Sequence, residues 1–428
     1  MNTSTVTNRV FTRYQVFIIT LISLLQFTII LDFMVMAPLG ALLIRILSIT
    51  PSQFGWVVSA YAFSAAIAGI AAAGFADRFD RKKLLLFFYT GFILGTFLCG
   101  IAPDYHFLLF ARMVTGLFGG VLFSINMAII ADLFSLEVRG RVMGYVQMAF
   151  AVSQVAGIPI GLFFANQFGW HMPFLMIVGL CLVTAIAIIR WMKPVDAHLQ
   201  ERAAQKPLLH LVKTASQKRY MVAFLSTVFL STGGFLMMPY SSTFLVRNVG
   251  VSEKILPVVF IVAGFVGLFT GPLIGKWSDK IGKYRLFIGG SILATIMVLV
   301  ITHLSIIPFW EVLVLNTLMY TAVTSRMIPT QALVSAVPDM KDRGAFMSIN
   351  SSVQQLGGGI ASVLGGWLIS QNASGQILHY DQLGYVTIGA FLICIVMMYY
   401  VNRYVSQKTA KSKPAGQAVR QEAAAIAE

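Results

Sequence analysis

Charge is what this sequence has least of. Only 11% of its 428 residues are Asp, Glu, Lys or Arg, and 57% are hydrophobic. With a mean hydropathy of +0.80 there is too little polar side chain to clothe a water-soluble globule. Cysteine is nearly missing. Cys99, Cys181 and Cys394 all fall inside apolar runs and read as small core residues, which excludes a disulfide framework or a thiolate metal centre. His106, His171, His198, His210, His303 and His379 are scattered through loops and span ends without metal-ligand spacing, so no metal is expected. The phosphate loop Gly-x-x-x-x-Gly-Lys-Ser/Thr does not occur, so ATP is not the expected energy source. No catalytic constellation stands out, and neither an enzyme nor a cofactor is expected. A cleavable signal peptide is not apparent: the first apolar run is too long for one and carries Asp32 in its middle.

What the sequence has instead is long apolar runs. Each is 20 residues or so, enough to cross a hydrocarbon layer about 30 Å thick as a helix. They are continuous, not alternating segments of about ten, so a membrane barrel is excluded. About twelve spans are expected, at 16–44, 53–75, 84–102, 107–131, 142–165, 172–193, 220–246, 255–274, 286–303, 308–336, 345–370 and 382–405. The fold class is an all-α membrane protein of twelve transmembrane helices. The halves are 1–193 and 220–405. A linker at 194–219 has the composition of a basic amphipathic helix or of a solvated connector. The tail, 406–428, is expected to be disordered.

The excess of basic residues, 31 against 16 acidic, raises the question of nucleic acid. Their placement answers it. With both termini in the cytoplasm, 26 of the 31 lie in inner segments, and only Arg45, Arg247 and Lys254 lie outside. The other two, Arg112 and Arg326, lie within spans. This is the positive-inside bias, and the charge orients the chain in a bilayer. Expected partners are lipid, protons and a small molecule, with no nucleic acid. The expected location is a bacterial inner membrane, and the expected working form is a monomer.

Six charges crowd into GFADRFDRKK, Gly74 to Lys83, and a similar run, GKWSDKIGKYR, begins at Gly275. Aligning Asp77 with Asp279 gives an offset of 202, and Arg139-Gly140 with Arg343-Gly344 gives 204. Two similar offsets argue for two homologous six-span halves related by pseudo-symmetry. An Asp beside basic residues can hold a neighbouring helix start or pair with Arg across the bundle. Asp77, Arg78, Arg81, Lys82, Asp279, Arg139 and Arg343 are therefore candidates for an inner gate. Plain topogenic charge is the alternative.

At these residues the sequence resembles the major facilitator superfamily, whose inner-loop signature is Gly-x-x-x-Asp-Arg-x-Gly-Arg-Arg/Lys. The second half keeps it at Gly275, Asp279, Gly282 and Lys283. The first half matches at Asp77, Arg78, Arg81 and Lys82 but has Ala73 and Asp80 where the signature has glycine. RMVTGLFGG from Arg112, ADLFSLEVRGR from Ala131 and AGIPIG from Ala156 are similar to the drug/proton antiporter branch, in its sugar-efflux-permease-like group. The resemblance implies two six-helix bundles around a central cavity, rocking between inward- and outward-open states, with export driven by protons. It also implies a role in proton transfer for Arg112.

Asp32 is the only carboxylate deep in an expected span. Ionised at mid-membrane it costs at least about 2.5–3.5 kcal/mol. Burial opposes ionisation of a carboxyl and a guanidinium favours it, so a carboxyl under both influences can load and release a proton. A purely structural pair with an arginine is the alternative. Asp32 is expected to exchange partners between Arg112, Arg326 and substrate. One acid and two arginines make the interior net positive, which favours anionic or polar neutral cargo over lipophilic cations. Candidate cavity residues are Asn126, Gln147, Gln154, Tyr240, Asn316, Tyr320, Arg326, Asn350 and Gln354, each of which can equally serve as a packing hydrogen bond. Glu311 is a candidate second titrating site. Gly116, Gly120, Gly157, Pro159, Gly161 and Gly365 are expected to serve close helix packing and to keep the halves sealed. A lipid or lysolipid carrier of the same fold and a non-transporting membrane sensor are the other readings.

Overall fold

The computed structural model describes residues 11–72, 79–196, 207–339 and 342–426; side chains are described within these except at 136, 137, 140, 207–209 and 409–426. Asp77 and Arg78 lie outside the described residues.

The first half is built from α1 (Arg13–Ile46), α2 (Pro51–Ala72), α3 (Arg81–Gly100), α4 (Tyr105–Leu133), α5 (Leu136–Val152), α6 (Ile158–Phe168) and α7 (Met172–Trp191). A π-helical turn, Ser153–Gly157, joins α5 to α6. These make six spans, since α5, the π turn and α6 form the fifth. The short α8 (Pro207–Ala215) lies in the linker. The second half holds α9 (Lys218–Phe235), α10 (Met238–Arg247), α11 (Leu256–Ile281), α12 (Lys283–Thr302), α13 (Phe309–Ser335), α14 (Arg343–Leu368) and α15 (Tyr380–Ile426). Here α9 and α10 together are the seventh span. A hairpin of β1 (Ser370–Gln371) and β2 (Ile377–Leu378) is the one departure from an all-helical fold among the described residues.

Ten described helical segments are long and apolar enough to cross a membrane. The other two spans, α13 and α14, are 27 and 26 residues long and fall short only in apolarity. They carry Asn316, Tyr320, Arg326, Asn350 and Gln354. Twelve spans in two sixes is the architecture the sequence anticipates. Three boundaries differ. Pro159 cannot donate to the carbonyl four residues back, and the π turn absorbs the misfit. Pro239 does the same to the seventh span, which breaks between Phe235 and Met238. The third concerns the tail read as disordered, which continues α15 to Ile426. Its Ala, Lys and Gln are good helix formers, so the composition that suggested disorder also permits a helix.

The two charged turns are built differently. Gly282, which caps α12, has φ 102°, a left-handed conformation open to glycine. Its counterpart Asp80 keeps an ordinary φ and caps α3 instead, its Oδ1 accepting from the Lys83 N–H at 3.1 Å. The Asp that breaks the signature thus replaces a turn glycine with an N-cap.

Apolar burial is lopsided. One continuous core runs through the whole first half and into the part of the second half away from the basic end: Tyr240, Phe244, Val249, Ile369 and Tyr380 belong to it. The basic end of the second half has a separate core around Tyr220, Phe224, Phe287 and Phe346. The halves are therefore fused at the far end. There Ser242 donates to the Ala37 carbonyl at 2.6 Å, and Arg45 pairs with Glu253 at 2.8 Å. Helices α2 and α14 stay together nearly to the basic end, with Gly69 against Ser352.

At the basic end of the second half, Asp339 between α13 and α14 pairs with Arg219 at 2.8 Å and with Lys408 at 3.0 Å. The hydrogen bond from Lys408 and the charge of Arg219 hold its carboxyl below the usual range. A lowered folded-state pKa stabilises above the unfolded value, about 3.9, and that contribution is lost as pH falls through the folded value. The group is one-third exposed, so the effect is small. Asp339→Asn is expected to melt slightly below wild type at pH 7 and together with it at pH 2, in melting curves taken across that range. Equal gaps at both pH values would refute the pairing.

Candidate functional site: a buried ion pair in the first half

Asp32 sits midway along α1, and Arg112 lies two turns into α4. The fold brings them together: Arg112 Nη1 donates to Asp32 Oδ2 at 2.7 Å, and neither side chain has any exposure. The other carboxylate oxygen accepts from the Thr96 hydroxyl of α3 at 3.3 Å. The guanidinium lies over the Tyr61 ring of α2, 4.7 Å from its centroid. Four spans thus converge on one charge pair. Glycines make this possible. A Cβ on Gly116 would lie 2.8 Å from the Tyr61 Cα, and one on Gly120 would lie 2.7 Å from the Ala65 Cβ. Gly119 is similarly close to the Tyr61 hydroxyl, at 2.8 Å. The small residues that follow Arg112 let α4 press on α2 so that the arginine can reach inward.

Arg112 keeps Nε and Nη2 without a hydrogen-bond partner. The pair is therefore dry and only partly satisfied. One such ion loses several kcal/mol on leaving water, which its partner offsets only while it stays charged. Protonating the carboxyl removes the attraction and leaves the arginine to find another acceptor. This is an arrangement in which one proton changes how α1, α3 and α4 hold together.

Arg326 is elsewhere. It is 2% exposed inside the second half, with Nε donating to the Ser291 hydroxyl of α12 at 3.1 Å. Its guanidinium stacks 3.6 Å from the Phe391 centroid on α15. The expected exchange of Asp32 between Arg112 and Arg326 is not what the structure displays: the acid belongs to Arg112, and each arginine points into the interior of its own half. Span depth placed the three together; the direction in which each side chain leaves its helix separates them.

The polar candidates divide in the same way. Asn126 is fully buried and donates to Gln26 Oε1 at 3.2 Å, tying α4 to α1. Tyr240 is fully buried as well, its hydroxyl donating to the Ser362 carbonyl of α14, so it belongs to the far-end seal. Asn316 donates to its own Val312 carbonyl at 3.0 Å. Tyr320 lies against α11, 2.5 Å from where a Cβ on Gly267 would be. Asn350 accepts from Thr227 at 2.7 Å. Gln147 is exposed, and Gln154, Gln354 and Glu311 are half-buried.

Gln154 is the best placed of these. It lies in the π turn, where the fifth span meets α11. A Cβ on Gly264 would lie 2.9 Å from Val155 Cγ2 and 3.2 Å from the Gln154 carbonyl carbon. Gly264 is the small residue of that contact, and nothing in its local sequence singled it out. Gly157 and Gly161 instead pack on α1, against Leu31 and Val35, with Pro159 buried between them. Among the second-half glycines, Gly359 meets Phe63 and Gly366 meets Ser52, so both lie between the halves. Gly365 packs on Leu236 and Tyr240 of its own half.

Arg81, Lys82, Arg139 and Asp279 each have a partner in their own half. Arg81 Nε meets Asp132 at 3.1 Å, and Lys83's neighbour Lys82 donates to the Ile189 and Met192 carbonyls that end α7. Arg139 donates to the Ala131 and Phe134 carbonyls at the end of α4. Asp279 pairs with Lys283 at 2.9 Å, and Arg343 opens α14. Basic side chains at helix C-termini are favourably placed against the backbone dipole.

The sequence matches the Major Facilitator Superfamily over residues 22–307 and again over 223–427. The chain belongs to the major facilitator superfamily. This major facilitator chain is 25% identical over 355 residues to Multidrug resistance protein 2 of Bacillus subtilis (strain 168), covering 80% of this chain and 86% of that one. It is 29% identical over 268 residues to the uncharacterized MFS-type transporter YceJ of the same organism, covering 61% and 67%. The solved structure of a D-xylose–proton symporter superposes with a TM-score of 0.72 at 18% identity, covering 89% of this chain and 97% of that one. That likeness is one of fold: two six-helix bundles. The chain is a multi-pass membrane transporter of this superfamily.

Proposed function

We propose that this transporter is a proton-coupled antiporter that exports a small organic molecule, such as a drug, sugar or metabolite, by alternating access. The observation that carries the reading is the dry pair of Asp32 and Arg112, 2.7 Å apart with no exposure, at mid-span where helices must move for a cavity to change sides. The energy source is the proton gradient, with no cofactor. The basic end faces the cytoplasm of a bacterial inner membrane, with both termini there. In the state described the far end is closed, and Asp32 is paired. A proton taken from outside neutralises Asp32 and loosens α1 from α4; its release inside restores the pair. The resemblance of the sequence to a multidrug resistance protein supports export over uptake. The pair is complete within one chain, which supports a working monomer.

Purified protein in liposomes with an internal pH dye tests this. Adding a cargo drug or sugar is expected to drive proton movement, and Asp32→Asn is expected to lower that movement at least tenfold while cargo still binds. Wild-type proton movement in Asp32→Asn would end the proposal. Flux with lysolipids alone would move the reading to a lipid carrier.

A further inference from the structure

Each half has one buried arginine on its fourth span, Arg112 near the start of α4 and Arg326 past the middle of α13. Arg112 lies on the fourth span against the first, second and third. Arg326 lies on the tenth, with Gly233 of the seventh, Ser291 of the ninth and Phe391 of the twelfth around it. The difference is the counter-charge. Arg112 has Asp32. Among the described residues no carboxylate pairs with Arg326, although it is 2% exposed. The second half's carboxylates are engaged or distant. Glu253 pairs with Arg45, Asp279 with Lys283, and both Asp339 and Asp342 with Arg219. Glu311 is on the same helix but about 22 Å away at the helical rise. Asp381, in the first turn of α15, is about 15 Å along that helix from Phe391.

Two polar atoms here lack partners. Arg326 Nη2 is buried without a hydrogen bond, and so is the hydroxyl of Thr330, which is 1% exposed. Residues 326 and 330 are one turn apart on the same helix face. Both groups can donate; the Ser291 hydroxyl accepts from Arg326 Nε and donates to the Phe287 carbonyl at 2.8 Å, so it holds the guanidinium in place. Donors without acceptors around an uncompensated guanidinium select a compact anion with several oxygens. Two rings, Phe391 at 3.6 Å and Phe287 at 5.8 Å from the guanidinium, and the buried Cys394 thiol lie beside it. Between the halves Phe235 of α9 meets Phe33 of α1, with 5.6 Å between ring centroids.

We infer that Arg326 and Thr330, with Ser291 positioning the guanidinium, form an oxyanion-binding site that takes the carboxylate or phosphate of a cargo whose body is apolar. A bound oxyanion does for Arg326 what Asp32 does for Arg112. The inference rests on the transporter reading, and it names the class of cargo.

The test is equilibrium binding to the purified full chain, with no proton gradient, so that its failure is separate from a failure of coupling at Asp32. Benzoate, its neutral isostere benzamide, and inorganic phosphate are titrated in a melting assay. Benzoate is expected to raise the melting temperature saturably and benzamide not to. Arg326→Gln is expected to weaken benzoate at least tenfold, and Arg326→Lys to restore part of the loss. If phosphate stabilises and benzoate does not, the oxyanion is a phosphate and the site stands. Equal shifts with benzoate and benzamide, no shift with benzoate or phosphate, or unchanged affinity in Arg326→Gln would each overturn it. Should Arg326→Gln fail to purify, Ser291→Ala decides: it is expected to weaken benzoate severalfold, and unchanged affinity would refute the site.

Discussion

Arg112→Ala is expected to leave little folded transporter. The substitution strands the Asp32 carboxylate with one hydroxyl, from Thr96, where it now has a guanidinium at 2.7 Å. Removing one partner of a buried pair costs about 3–5 kcal/mol, because the other charge stays desolvated. A cation–π contact with Tyr61 goes as well. Against a total stability of about 5–15 kcal/mol this is a large fraction. Asp32→Asn also leaves a buried charge uncompensated and is expected to cost a comparable amount, moderated by the amide oxygen that still accepts from the arginine. Combining Asp32→Asn with Arg112→Gln is expected to recover most of the Arg112→Ala loss, since no buried charge then remains. Melting curves and size-exclusion profiles in one detergent compare all three. An Arg112→Ala protein that melts with wild type would mean that water reaches the pair.

The pair was legible in the sequence for this same reason. An acid in oil has to meet a base, and with Asp32 the only deep carboxylate, Arg112 and Arg326 were the choices. Which of the two it meets was not legible. Position along a span gives depth, but the azimuth depends on packing, and the glycines at 116 and 120 decide it by letting α4 sit close on α2. Thr96 and Tyr61 were hidden because hydroxyls in spans commonly bond their own helix, as Ser64 and Thr184 do here. Tyr240 read as a cavity wall because an apolar ring with a polar tip looks the same in a wall as in a seal. The repeat was legible from two offsets, and it foretold two halves. It did not foretell that Asp80 caps α3 where Gly282 turns the chain. That is a local exchange of one solution for another, with the same outcome for the helix that follows.

Gly55→Val is expected to act on conformation more than on folding. A Cβ at Gly55 would lie 2.6 Å from the Ser362 carbonyl of α14 and would press on the Tyr240 hydroxyl. Gly366 faces Ser52 nearby with a similar lack of room, 2.8 Å to its Cα. All of these contacts lie between the halves at the far end. If that end opens in the transport cycle, the clash exists in one state and disappears in the other. Overpacking costs about 1–3 kcal/mol. At about 1.4 kcal/mol per tenfold, the closed state loses population by roughly five- to 150-fold. Gly116→Val supplies the contrast. Its Cβ would be 2.8 Å from the Tyr61 Cα, a comparable clash, but both partners belong to the first half and move together. That variant is expected to melt earlier without opening the far end. Spin labels on Ser48→Cys and Ala373→Cys, one in each half at that end, report the separation directly, and the native cysteines are buried away from the label. A longer distance population in Gly55→Val and none in Gly116→Val is the expected pattern. Identical distance distributions in the two would mean that the α2–α14 seam is a fixed joint, and the cavity would have to change sides by some other movement.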